Sequence, residues 1–193
     1  MIDMFKEYIN MQSTVSNEQF GLVMSCLTPA SVTKGTVLLR QGDVCEYIVF
    51  VVKGCLRSYI MGEDKKAHIL EFAPENWWIG DSLSLYRQAP SIFSIDAIED
   101  SELFLARMDF FIKMPQVFPE FYQLYIYHMH EGLRSVQKRL QHLLGSNADK
   151  RYLDFLLTYP ELSLRLPQGM IASYLGISPQ SLSRIRNKFA HKH

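Results

Sequence analysis

Cysteine is scarce in these 193 residues: Cys26, Cys45 and Cys55 are the whole set, and no two are spaced as Cys-x-x-Cys. An odd, scattered trio fits neither a disulfide framework nor an iron–sulfur cluster held by four thiolates. Cys55 falls in a strand-like run and reads as a small buried hydrophobe. No apolar run approaches the roughly 20 residues of a membrane-spanning helix, so no membrane partner is expected. The opening Met-Ile-Asp-Met-Phe-Lys-Glu lacks a basic stretch followed by an apolar core, so the cytoplasm is the expected compartment. Histidine is too thin for a metal site built on imidazoles. His68 stands alone in the middle of the chain; His128, His130 and His142 fall in one helical stretch, and His191 and His193 at the end. His128 and His130 are two apart, whereas helical ligand pairs stand four apart. No Gly-rich phosphate loop follows a strand, and Gly-x-Ser-x-Gly is absent. Neither an enzyme, nor a metal, nor a cofactor is expected.

Acid is missing from the last stretch of chain. Residues 162–193 hold five Lys/Arg (Arg165, Arg184, Arg186, Lys188 and Lys192) and no Asp or Glu. The total of zero net charge hides this asymmetry. Residues 1–131 carry ten Lys/Arg against seventeen Asp/Glu, and residues 132–193 carry ten against three. Charge of that sign, clustered at one end, suits a phosphate backbone.

The same end carries a helix-turn-helix pattern in residues 168–190. Ile171 and Leu175 share one helical face, and Leu182, Ile185 and Phe189 form a second apolar stripe. Gly176 sits between them, where a tight turn needs positive φ. Ser178 can cap the next helix, and Pro179 suits its first position. Ala172 is small enough for two helices to cross closely. An ordinary αα-hairpin would show the same apolar pattern but has no need of the charge.

The rest reads in three textures. Residues 3–10 and 17–27 look like short helices. From Thr33 onward come β-rich runs: Thr36–Arg40, Tyr47–Lys53, Cys55–Met61, His68–Phe72, Trp77–Ile79, Ser91–Ala97 and Glu102–Met108. Turns such as Gln41-Gly42-Asp43, Lys53-Gly54 and Gly62-Glu63-Asp64 divide them, which predicts an antiparallel double sheet or jelly roll. After Asp109, Tyr122, Ile126, Met129, Leu133, Val136, Leu140 and Leu143 alternate spacings of four and three. That seam of about three heptads predicts self-association through a long helix. Gly145-Ser146-Asn147 ends it, and Asp149–Tyr159 reads as a further helix.

In order, these features resemble the Crp/Fnr family of bacterial transcription regulators. The likeness rests on Lys34-Gly35-Thr36, Leu39-Arg40-Gln41-Gly42-Asp43, the run from Tyr47 to Gly54, Trp78-Ile79-Gly80-Asp81 and the helix-turn-helix. It implies an α+β fold: an N-terminal double-stranded β-helix or jelly roll, a long dimerisation helix and a C-terminal helix-turn-helix domain. The expected limits are 1–114 for the cyclic-nucleotide-binding-like roll with its N-terminal helices, 115–145 for the helix and 146–193 for the DNA-binding domain. The implied partners are double-stranded DNA with an inverted-repeat operator, a second copy of the chain, an unknown small-molecule effector and, for an activator, RNA polymerase.

For DNA, the resemblance places a base-reading Arg at Arg184 and a second base contact at Gln180. Ser178, Pro179 and Ser181 lie in the first turn of the recognition helix, and Arg186 and Lys188 are expected on phosphates. For the effector, the resemblance points to Gly80, Asp81, Ser82, Arg87, Ser91 and Ile92. Cyclic AMP-binding members place an Arg-Ser pair where this chain has Ser91-Ile92. Without that guanidinium the cyclic phosphate loses its charge-assisted contact, so ordinary cyclic AMP binding is not expected. Trp77, Trp78, Tyr86 and Phe93 are candidates to line an apolar pocket for another ligand, or simply core. The family often adds a β-hairpin wing after the recognition helix, whereas this sequence stops at His193. The alternative reading is a ligand-sensing or partner-binding roll whose helix-turn-helix does not touch DNA.

Overall fold

The computed structural model describes residues 1–12, 14–63 and 65–190. Within helices, the side chains of Gln12, Val117, Phe121, Tyr122, Leu124, Tyr125, His128, Glu131, Ser135 and Ala190 lie outside the description. Asp64 of one expected turn, and Lys192 with its flanking histidines, lie outside it as well.

Two helices, α1 (Ile2–Gln12) and α2 (Asn17–Ser25), lead into eight strands. These are β1 (Leu27–Val32), β2 (Val37–Leu39), β3 (Ile48–Lys53), β4 (Leu56–Met61), β5 (Ala67–Ala73), β6 (Trp78–Ile79), β7 (Ser94–Ala97) and β8 (Ser101–Ala106). A short helix, α3 (Ser82–Arg87), interrupts them before β7. Helices α4 (Met108–Val117), α5 (Pro119–Gly145), α6 (Ala148–Thr158), α7 (Leu162–Arg165), α8 (Gln168–Leu175) and α9 (Pro179–Ala190) follow.

The strands form two four-stranded antiparallel sheets, ordered β1-β8-β3-β6 and β2-β7-β4-β5. Between them Val49, Val51 and Leu103 of the first meet Leu56, Ile95 and Ala97 of the second. The alternate residues Phe50, Val52 and Phe104 point the other way, onto Phe5, Ile9, Phe20 and Val23 of the N-terminal helices and Phe110 of α4. A strand buried on both faces needs no polar alternation, hence the run Ile-Val-Phe-Val-Val in β3. The turn after it depends on Gly54. Its φ is +93°, and a Cβ there would stand 2.3 Å from Ser101 Oγ.

Several elements differ from the sequence reading, the short α7 among them. Helix α2 stops at Ser25, and Leu27–Val32, expected partly as helix, pairs instead with β8 from Leu27↔Ala106 to Val32↔Ser101. Pro29 is tolerated there because β1 is an edge strand. Ser82–Arg87, to which the sequence reading assigns no element, forms a helix capped by Asp81. Residues 108–117 form a separate helix, so the long helix begins at Pro119 rather than 115. At 27 residues it is about 40 Å long.

The C-terminal helices make their own core from Tyr152, Phe155, Ile171, Leu175, Leu182 and Ile185. That core continues onto the outer face of the second sheet through Ile69 and Phe72. Edge strand β5 is thereby covered: Ser173 of α8 donates to Ala67 O at 2.8 Å and accepts from the Ile69 N–H at 3.2 Å.

Candidate nucleic-acid interface

The turn between α8 and α9 is built as its residues require. Gly176 has φ +66° and ψ 38°, and the Ile177 N–H reaches back to Ala172 O at 3.0 Å. Ser178 Oγ accepts the Ser181 N–H at 3.1 Å, capping the start of α9. Ala172 is buried at the crossing, and Leu182 and Ile185 close the inner side of α9.

The outer side of α9 is polar and open. Pro179, Gln180, Ser183, Arg184, Asn187 and Lys188 are exposed. Gln180, Ser183, Arg184 and Asn187 follow the spacing i, i+3, i+4, i+7, so they share the face opposite Leu182 and Ile185. Gln180 and Arg184 thus lie together, as expected. Ser183 and Asn187 were missed, although the same helical count that found the apolar stripe places them here. Ser178 and Ser181 are occupied with each other, their hydroxyls 3.0 Å apart. Arg186 is half-buried on the flank, and the Lys188 ammonium is paired with Asp149 of α6.

Arg165, one of the five cations in the acid-free stretch, is not available to a phosphate. Its guanidinium donates to Glu75 at 2.8 Å through both terminal nitrogens, to Glu99 at 2.5 and 3.1 Å, and to Gly54 O at 3.3 Å. The Glu99 and Glu75 carboxylates hold the guanidinium well above its ordinary pKa. Burial alone would push the Glu75 carboxyl up, but Arg165 and the Gly54 N–H bring it below the usual carboxylate value. These bonds tie α7 to the roll. A second tie is Arg139 of α5, which donates to the backbone oxygens of Leu70, of Ile69 at 2.7 Å and of Tyr174 at 3.0 Å.

Along α5 the expected stripe is laid bare. Met129, Leu133, Val136, Leu140 and Leu143 are exposed, Val136 to 65%. Leu144, 81% exposed, joins the same face and was missed. Ile126 is half-buried, and the Tyr122 side chain lies outside the described residues. Exposed apolar stripes of this length are a feature of protein–protein contact surfaces in general.

Residues 29–116 match the cyclic nucleotide-binding domain family. The chain is similar to FixK2 of Bradyrhizobium japonicum, at 22% identity and a TM-score of 0.71, covering 86% of this chain and 85% of that one. It is also similar to a crp/fnr-family transcriptional regulator of Eubacterium rectale, at 20% identity and a TM-score of 0.67, covering 96% and 88%. The fold is that of Crp/Fnr regulators. The fold implied by the sequence resemblance is therefore borne out, with the roll, long helix and terminal helices in the expected order. An anaerobic regulatory protein of Haemophilus influenzae is 23% identical over 169 residues, 82% of this chain. The chain spans 65% of that relative's length.

Within this Crp/Fnr fold, the expected effector residues only partly converge. Asp81 Oδ1 accepts the Ser84 N–H at 2.9 Å, and its Oδ2 accepts the Ser91 hydroxyl at 2.8 Å. Both carboxylate oxygens are thus engaged inside the fold. Gly80 packs against β3, where a Cβ would stand 2.6 Å from Ile48 Cδ1. Ser82 is half-buried beside them, while Arg87 and Ile92 are exposed. The four aromatic candidates do not share a pocket. The Trp77 ring faces Tyr159 at 6.0 Å and its Nε1 donates to Glu71 at 3.0 Å, at the contact with the C-terminal helices. Trp78 sits in the N-terminal core, 5.1 Å from Phe50 and with Nε1 on Tyr8 Oη at 3.2 Å. Tyr86 is 75% exposed, and Phe93 packs between the sheets. Their sequence signal was apolarity, which core and pocket share.

Proposed function

We propose that this chain is a dimeric DNA-binding transcription regulator of the Crp/Fnr type, cytoplasmic and without enzymatic activity. The observation that carries this is the face Gln180-Ser183-Arg184-Asn187, fully open on a capped helix whose other side is closed core. Arg184 suits guanine O6 and N7 in bidentate fashion, and Gln180 suits adenine N6 and N7. Arg186 and the backbone N–H groups at the start of α9 are placed for phosphates. Lys188 reaches a phosphate only by leaving Asp149, so its contribution to salt dependence is less than one full contact.

Pairing two copies along Met129–Leu143 brings two such helices to one operator. Half-sites about 34 Å apart, one turn of duplex, follow from that symmetry. RNA polymerase is a further partner if the output is activation. The roll is a scaffold or a receptor for an effector other than cyclic AMP, because Asp81 is already satisfied and no Arg occupies the position of Ser91. The rival reading, a roll whose helix-turn-helix has left DNA, draws support from the Arg165 and Arg139 ties to the roll. Those ties leave the polar face of α9 open, which favours the DNA reading.

Fluorescence anisotropy with a mixed-sequence duplex tests the proposal. Binding should weaken steeply between about 50 and 200 mM salt. Arg184→Ala should cost about 1–3 kcal/mol on a selected site and little on random sequence. No salt-dependent binding by the full chain would refute it.

A further inference from the structure

At the junction of α5, α6 and α8 lies a cavity of about 40 Å³, lined by Lys138, Arg139, His142, Arg151, Asp154 and Tyr174 among others. One water needs roughly 10–15 Å³ in such a space. Three buried side-chain atoms among the described residues have no hydrogen-bond partner: Arg139 Nε, Arg151 Nε and Asp154 Oδ2. All three belong to side chains lining this one cavity. Arg139 satisfies its terminal nitrogens on neutral backbone oxygens and lies 4.3 Å from the Tyr174 ring, with no carboxylate bonded to it among the described residues. Arg151 donates one terminal nitrogen to Ser146 O at 2.8 Å. His142 Nδ1 stands 3.0 Å from Asp154 Oδ2, near enough for an ion pair yet not aligned as a hydrogen bond.

Buried donors on charged groups are costly to leave without acceptors. Two orphaned guanidinium N–H groups and a carboxylate oxygen met only by His142, all around one void, therefore point to a guest rather than to separate defects. The guest must accept from two guanidinium N–H groups and donate to a carboxylate. Lys138, Arg139 and Arg151 outnumber Asp154 even with Glu71, which faces Arg139, counted on the acidic side, so the guest is an anion. We infer that this cavity is a binding site for a small phosphate-type oxyanion that keeps one O–H, with Arg139 and Arg151 as donors and Asp154 as acceptor. Hydrogen phosphate has both halves of that complement; sulfate at neutral pH accepts but cannot donate. The lining comes from the long helix and from the helix-turn-helix domain, so an occupant fixes the angle between them. Nothing in this depends on whether α9 reads DNA.

The test is isothermal titration of the full chain, without DNA, at pH 7 and ionic strength matched with chloride. Inorganic phosphate should bind once per chain. Lys138→Gln changes an exposed side chain and should weaken binding several-fold, and Arg151→Gln should weaken it about tenfold or more. If Arg151→Gln does not fold, Lys138→Gln decides. Sulfate should bind several-fold more weakly than phosphate. Glycerol 3-phosphate binding as tightly as phosphate would support the site and name a phosphomonoester as its source; its exclusion would name the free ion. No heat beyond the chloride control, the sign of a cavity filled by water, overturns the inference. So does phosphate binding unchanged in both variants, or sulfate binding as tightly as phosphate.

Discussion

Replacing Arg165 by Met removes the charge that ties the helix-turn-helix domain to the roll while keeping an apolar stem. The guanidinium makes five hydrogen bonds, four of them to carboxylates, and Arg165, Glu75 and Glu99 are exposed to 26, 30 and 28%. A fully exposed pair would contribute about 0–1 kcal/mol, and breaking a fully buried one would cost about 3–5. At a quarter exposure, with bidentate geometry and two carboxylates left facing each other, the loss should be about 2 kcal/mol. Urea denaturation followed by circular dichroism reads it, and Arg165→Lys should lose roughly half as much because a point charge cannot fill the fork. The pH dependence has a definite sign. Glu75 has its folded pKa below the unfolded value of about 4.3, so its stabilisation is complete above that value and disappears as pH falls through the folded one. The gap between wild type and Arg165→Met should therefore be widest near pH 7 and shrink below about pH 4. A loss under about 0.5 kcal/mol at pH 7, or a gap that persists in acid, would refute the clamp.

Glu71 carries the opposite sign: burial raises its carboxyl, with the Trp77 N–H and Arg139 opposing, so stability is lost as pH rises through its folded pKa. Glu71→Gln keeps an acceptor for Trp77 and should raise the melting temperature at pH 7 more than at pH 4; a drop at pH 7 would contradict this. Leu133→Asp combined with Val136→Asp should shift the chain from dimer to monomer at micromolar concentration in analytical ultracentrifugation, and wild type sedimenting as a stable monomer would end the dimer proposal. Isothermal titration with cyclic AMP should show no low-micromolar binding, and tight binding abolished by Asp81→Ala would show the cassette reading to be wrong.

The parts legible in the sequence were those whose signal is local. Helix α9 announced itself through Gly176, Ser178, Pro179 and the Leu182-Ile185-Phe189 stripe, and β3 through an unbroken apolar run between turn residues. Strand β1 was hidden by Pro29, a breaker anywhere but on an edge, and being an edge is a property of the sheet, not of the segment. Ser82–Arg87 alternates polar and apolar residues as a strand does, yet the Asp81 carboxylate on the Ser84 N–H turns it into a helix. Long-range chemistry was the least legible. Arg165 lies 90 residues from Glu75 and 66 from Glu99. Counted along the chain it looks like one more DNA-facing cation; in the fold it is a domain tie. Arg139 likewise sits in a helix that reads as a zipper, and only the folded chain brings it to Ile69 O.

The central claim, that α9 reads DNA as one half of a two-fold pair, is tested most directly by selection from random duplexes with the full chain at moderate salt. The account predicts enrichment of an inverted repeat with half-sites about one helical turn apart, and loss of preference at one base pair per half-site with Arg184→Ala. Selection that returns no enriched palindrome would contradict it and leave the roll as a sensor or partner-binding module without a DNA target.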